Sequence, residues 1–338
     1  MKKTMRIIIL ACCLFLVPPM AVFAQGALEQ PVQAAHTKIG ISKLLAHPAL
    51  DVIEQGIQDY LASTGLPVTY DLQNANGDIS TAASIAQKFK SDKMDIVVGI
   101  ATPTAQALAN VFVDIPVVFS SITDPIAAGL VESYDAPQDT NICGVSDLSP
   151  VESQIKLLID LTGAKTIGNV YASNEANAVA LMELARQACD KYGVRLITAA
   201  VSNSAEVKMA ALSIIDRVEA IYVGTDNTVI SALASLADVC TKANKPLFSG
   251  DTTSSEGLDV FAAWGFNYYN AGVYTGKMIE QIINGAKPGD LGTTFLTDPS
   301  DFELWFNMDV VKRLGLTIPQ DLLASAARIV ENGQIVTQ

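Results

Sequence analysis

The sequence predicts an α/β protein with two doubly wound parallel-sheet lobes. Short β-branched runs alternate with stretches that carry apolar residues three and four apart. The strand-like runs are apolar throughout rather than alternating, as in parallel strands covered on both faces. The pattern occurs twice in series, over residues 37–147 and 148–250. A chain of 338 residues, 50% apolar and 17% charged, is long enough to bury two cores and too apolar to be disordered.

Residues 1–24 read as a signal peptide. Lys2, Lys3 and Arg6 form a positive start, Ile7 to Ala24 an apolar run, and Ala-Val-Phe-Ala24 a small-x-small cleavage pattern. Pro18 and Pro19 would interrupt a spanning helix, which argues against a membrane anchor. A lipoprotein cut before Cys12 is disfavoured by the very short apolar stretch ahead of it. Cleavage after Ala24 removes three positive charges and takes the formal charge from −13 to −16. With no basic block, neither nucleic acid nor an anionic membrane surface is an expected partner.

In the mature chain, strands are predicted at 38–42, 68–73, 96–99 and 117–120 in the first lobe, and at 167–171, 195–199, 220–224, 246–249 and 260–264 beyond it. Helices are predicted at 49–62, 81–90, 104–111, 151–161, 176–192, 205–215 and 229–243. The last third offers a helix at 269–284, a Gly/Pro loop at 285–292, a strand near 302–306 and a final helix, too little for a third domain. It is expected to complete the two sheets, giving lobes of 37–147 plus 251–300 and 148–250 plus 301–338. The chain would cross between them three times, forming a three-segment hinge about which the lobes close.

Catalytic and cofactor signatures are missing. No Gly-x-Gly-x-x-Gly follows a strand, and Gly272–Lys277 is one residue short of a phosphate loop and lies in a predicted helix. Gly144-Val-Ser146 lacks the closing glycine of a nucleophile elbow. His47 is the only histidine deep in the mature chain, and Cys143, Cys189 and Cys240 are widely spaced. Neither a Ser-His-Asp set nor a zinc site is expected, nor any cofactor. The cysteines are expected to be small buried hydrophobes, with one disulfide left open.

The strand-to-helix turns carry the candidate chemistry. Thr102 and Thr104 follow the third strand, and Ser121, Thr123 and Asp124 the fourth. In the second lobe the matching turns carry Ser173, Asn174 and Glu175, then Asp226 and Asn227, then Asp251. Singly, each is helix-capping chemistry. Together, topology gathers them at the carboxyl edges of both sheets, where open α/β sheets bind ligands.

Ile115–Gly129 (IPVVFSSITDPIAAG), Ile221–Val229 (IYVGTDNTV), Gly265–Gly272 (GFNYYNAG) and Arg313–Pro319 (RLGLTIP) carry a resemblance. The chain resembles ABC-transporter substrate-binding proteins of the type I periplasmic-binding fold, in the branch that includes tryptophan- and phenylalanine-type amino-acid receptors. The resemblance covers nearly the whole mature chain. It implies a monomeric extracytoplasmic receptor, free in the periplasm, that hands a small solute to a membrane permease and its ATPase. Carried over by position, the first-lobe turn residues would hold a ligand carboxylate through hydroxyls and helix amides, and the second-lobe residues would line the opposite wall. Asp226 would meet an ammonium group, and Asp226→Asn would then lower affinity with little effect on stability.

Trp264, ending a strand at the hinge, is the candidate stacking wall, with core packing as the alternative. Tyr268 and Tyr269 read as packing residues. An apolar or aromatic L-amino acid is the expected ligand; a nucleoside, sugar or other small metabolite, or an adaptor role at a chemotaxis receptor, is the alternative. An enzyme is not expected.

Export can be checked directly. Mass spectrometry of secreted or periplasmic protein should give Gln25 as the first residue; retention of residues 7–24, or a diacylglyceryl group on Cys12, would overturn the expectation.

Overall fold

A computed structural model describes residues 36–337; the expected cleavage site and Cys12 lie outside the described residues. Strands and helices alternate through β1 (Thr37–Lys43), α1 (Pro48–Thr64), β2 (Val68–Asn74), α2 (Ile79–Ser91), β3 (Ile96–Ile100), α3 (Thr102–Ala109), β4 (Val117–Ser120) and β5 (Ile142–Ser146). The alternation resumes in α4 (Val151–Thr162), β6 (Thr166–Ala172), α5 (Ala176–Lys191), β7 (Arg195–Val201), α6 (Val207–Ile214) and β8 (Ala220–Val223). Next come α7 (Asn227–Ser231), α8 (Leu233–Lys242), β9 (Leu247–Ser249) and β10 (Ala262–Phe266). The last part holds α9 (Tyr268–Ile283), α10 (Pro288–Leu291), β11 (Thr293–Phe295), β12 (Phe302–Asn307), α11 (Met308–Leu314), α12 (Gln320–Ser325), β13 (Arg328–Glu331) and β14 (Gln334–Thr337).

Two sheets result. The first, in order β11-β5-β4-β3-β1-β2, is parallel at every pairing. The second, β14-β13-β12-β10-β9-β8-β6-β7, is parallel from β7 to β10 and gains an antiparallel strand at β12 and an antiparallel β13–β14 hairpin. The apolar runs that suggested strands buried on both faces are buried without exception in β3, β4 and β8.

The lobe boundary expected at residue 251 is corrected by this topology. β10 runs beside β9 and against β12, so residues 251–266 stay with the second sheet. A Cβ on Gly265 would stand 2.1 Å from the Gly250 carbonyl oxygen, so only glycine lets β10 run this close to the turn after β9. The chain leaves the first sheet after β5, returns at α9 and leaves again after β11. The expected final helix is instead two short helices and a hairpin, and the helix expected over 229–243 breaks at Ala232.

α9 joins the first sheet through a close helix pair with α1. A Cβ on Gly56 would lie 2.5 Å from the Tyr269 carbonyl oxygen, and one on Gly272 would lie 2.3 Å from that of Ile53. The two backbones therefore touch where a side chain would normally separate them. Along the same helix, the Thr275 and Ser120 hydroxyls share a buried 2.7 Å hydrogen bond, and the Tyr60 hydroxyl donates to Glu280 at 2.6 Å. Behind this pair lies the first core, with Ile39, Ile41, Ile53, Ile57, Phe89 and Val98 fully buried. The second lobe packs its own cores around Ile221, Val223 and Leu236 on one side and Tyr222, Phe248 and Phe306 on the other.

Gly272→Ala should therefore be costly despite alanine's better helix propensity. Forcing the helices apart costs on the order of 1–3 kcal/mol, read as a lower midpoint in chemical denaturation. An unchanged midpoint would mean that the helices part freely.

Candidate ligand-binding cleft

The carboxyl ends of the strands converge on a small, partly open cavity. The first lobe contributes His47, Ala49, Leu50, Ser121, Thr123, Asp147 and Tyr268; the second contributes Asn177, Thr225, Asp226, Asn227, Ile230 and Asp251. Each lobe thus presents the turns that follow its central strands. Among the first-lobe turns with residues other than glycine at positive φ are those after β3, with Ala101 at 77°, and after β4, with Ser121 at 56°. Such backbone is held only where the surroundings over-determine it, and it turns the chain sharply at the cleft edge.

Three carboxylates line the cavity, with no lysine or arginine among the lining residues. Burial is the main influence on all three and pushes each upward: Asp147 to about 6, Asp226 well above the ordinary carboxylate range, and Asp251 in the same direction. The charge of Glu175 adds to the rise at Asp226, whereas His47 opposes it at Asp251.

Their hydrogen bonds differ. Asp226 caps α7 by accepting from the Val229 N–H at 3.0 Å, and its other oxygen accepts from the Ala172 N–H at 2.6 Å. Asp251 accepts from the Ser254 N–H at 2.9 Å and the Ser254 hydroxyl at 2.8 Å. Asp147 accepts only from the hydroxyls of Thr123 and Tyr268, each at 3.3 Å. All three accept two bonds, but those of Asp147 are the longest and come from hydroxyls alone.

Buried polar atoms normally find partners. Around this cavity five do not: Ser121 Oγ, Asn177 Oδ1, Thr225 Oγ1 and both ring nitrogens of His47. Their concentration at one place makes this lining the candidate ligand site.

Of the residues named from sequence, the structure brings Ser121, Thr123, Asp226, Asn227 and Asp251 to the lining. The others stand elsewhere. Thr104 donates back to the carbonyls of Ile100 and Ala101, and Thr102 is buried at the start of α3. Asp124 caps the turn at Ile126 and Ala127 and accepts from the Tyr134 hydroxyl. Ser173 and Asn174 donate to carbonyls at the end of β7. Glu175 sits behind the wall, accepting from the Asn227 amide at 2.7 Å and from the Thr228 N–H and hydroxyl. Trp264 packs against the second lobe's core, and its carbonyl accepts from Gln154 at 2.6 Å.

The sequence reading missed Asp147, Asn177, Thr225 and the place of His47 in the lining, and it gave Tyr268 a packing role. Asp147 was hidden because β5 was: Gly144 interrupts its β-branched run. His47 precedes Pro48 at a strand-to-helix junction, the same turn pattern that marked the other candidates. Among the described residues no group of three or more His, Cys, Asp or Glu is placed to hold a metal ion, and no helix is long and apolar enough to cross a membrane. Cys143, Cys189 and Cys240 are buried free thiols.

Residues 38–330 match the family model for ABC transporter substrate binding proteins. The tyrosine-binding protein of Clostridioides difficile is 33% identical over 283 residues, covering 82% of this chain and 81% of its own length. An ABC domain from Streptococcus pneumoniae, solved in complex with L-Trp, is 35% identical with a TM-score of 0.83, over 88% of this chain and all of the other. A substrate binding protein with adhesive properties from Clostridium difficile, solved ligand-free and open, is 33% identical with a TM-score of 0.64, over 84% of this chain and 97% of the other. The chain belongs to the ABC transporter substrate-binding protein family.

Asp226→Asn tests the double role of that carboxylate. An amide has one acceptor oxygen, so its NH2 would be turned toward the N–H of either Val229 or Ala172. The ligand-free protein should lose about 1–3 kcal/mol in chemical denaturation, rather than stay unchanged as a plain helix cap would allow.

Proposed function

We propose that this protein is the exported receptor of an ABC importer and closes its two lobes on an aromatic L-amino acid. The observation that carries the reading is the lining itself: buried carboxylates without a basic partner, unpaired hydroxyl and amide groups, and an apolar stretch of Ala49, Leu50 and Ile230. Such a cavity suits a zwitterion with an apolar side chain. The names of the relatives, tyrosine-binding in one case and an L-Trp complex in the other, support the same class.

In this reading Asp147 takes the ammonium group, because its two long hydroxyl contacts leave lone pairs free while Asp226 is held by backbone N–H groups. Ser121, Thr225 and the Asn177 amide are left to the ligand's remaining polar atoms. The higher TM-score against the L-Trp complex than against the open form supports a closed arrangement of the lobes. Residues 1–24 serve export, and a permease with its ATPase receives the ligand from the monomeric receptor.

A thermal-shift screen against amino acids and nucleosides should raise the melting temperature with aromatic L-amino acids; no response from any amino acid would sink the proposal. Asp147→Asn should weaken the responding ligand on the order of tenfold to a hundredfold, since a charge-assisted bond contributes about 1.5–3 kcal/mol. The pH dependence has a definite sign. The Asp147 carboxyl in the empty protein is pushed up to about 6, so affinity should decline as pH falls through that value. The empty protein should move the other way, because its folded form holds that proton more tightly than the unfolded chain and gains stability as pH falls from about 6 toward 4.

A further inference from the structure

His47 is the one histidine in the cavity wall, and its ring is 93% buried from the side of the first lobe (7% exposed). Neither Nδ1 nor Nε2 has a hydrogen-bond partner. The groups nearest the ring, Asn227, Asp251 and Asp51, are each partly engaged with other residues. The Asn227 amide donates to Glu175 at 2.7 Å, Asp251 is taken by Ser254, and Asp51 pairs with Lys43 at 2.6 Å. An imidazole with two unanswered nitrogens is an expensive thing to bury unless a guest answers it.

The position of the ring says which part of a guest. His47 immediately precedes α1, whose first turn contributes Ala49 and Leu50 to the same wall. These two and Ile230 form the apolar part of the lining, whereas Asp147 and its partners Thr123 and Tyr268 form a polar cluster of their own. Burial holds the imidazole below its ordinary pKa, so the ring is neutral near pH 7 and keeps one bare nitrogen as an acceptor.

We propose that His47 determines specificity by accepting a hydrogen bond from a polar ring group of the bound amino acid, so that the receptor prefers a phenol O–H or an indole N–H to a plain phenyl ring. This rests on the amino-acid reading above. A site built to hydrogen-bond a substrate group discriminates strongly against the analogue lacking it, because its own polar atoms are then left unpaired.

The test is calorimetry of the mature receptor with L-tyrosine, L-tryptophan and L-phenylalanine. The wild type should bind tyrosine or tryptophan at least about tenfold more tightly than phenylalanine. His47→Phe keeps a ring but removes both nitrogens; it should erase that preference by lowering tyrosine and tryptophan affinity more than phenylalanine affinity. His47→Asn keeps an acceptor and should restore part of the preference. Equal wild-type affinity for all three ligands would overturn the assignment without any variant, and so would an equal loss for all three in His47→Phe. Should no aromatic amino acid bind the wild type while another solute does, the amino-acid reading itself falls and this assignment with it.

Discussion

Asp226 holds two elements at once. One oxygen ends α7 by capping it, the other fastens the end of β6, and the cleft wall of the second lobe is built outward from those two bonds. Thr225 and Asn227 flank it in the lining, and Asn227 is oriented by Glu175, which also caps Thr228 from behind. Each group in this chain has little freedom, because its partner is itself fixed. A buried carboxylate with backbone donors on both oxygens is an organiser, and its high pKa reflects how far from water that work is done.

The first lobe reaches a comparable rigidity by other means. Its turns after β3 and β4 are forced into positive φ at Ala101 and Ser121, with α9 pressed onto α1 and hydrogen-bonded to the end of β4. Tyr268 opens α9 and meets Asp147 at the end of β5, so both segments that cross between lobes near this point deliver a residue to the cavity. Asp147 joins the lining because the chain crosses there, whereas Asp226 and Asp251 come from the turns after β8 and β9.

Much of this was legible in the amino-acid order. Apolar strand runs and helical spacing located most elements through β10, β5 excepted, and the turn residues Ser121, Thr123, Asp226, Asn227 and Asp251 were found because topology alone puts such turns on one edge. What escaped detection depends on contacts distant in sequence. β5 is short and carries a central glycine, so only its neighbours β4 and β11 define it, and Asp147 was lost with it. Thr104 and Asp124 have the right chemistry in the right turns, yet local backbone groups consume them. Composition cannot distinguish a hydroxyl that caps its own helix from one that waits for a guest.

The return of the chain to the first sheet has a consequence for the order in which the molecule assembles. α1 finds its glycine partner on α9 and Tyr60 its carboxylate on Glu280, 220 residues downstream. β5 gains its outer neighbour only when β11 has been made. As the chain emerges N-terminus first, its opening half therefore lacks a helix and an edge strand, and that lobe completes its core only after nearly the whole polypeptide is available. Contacts of such long range slow folding and extend the time spent incompletely structured. The connectivity that ties the two lobes together thus also acts as a timer on their folding.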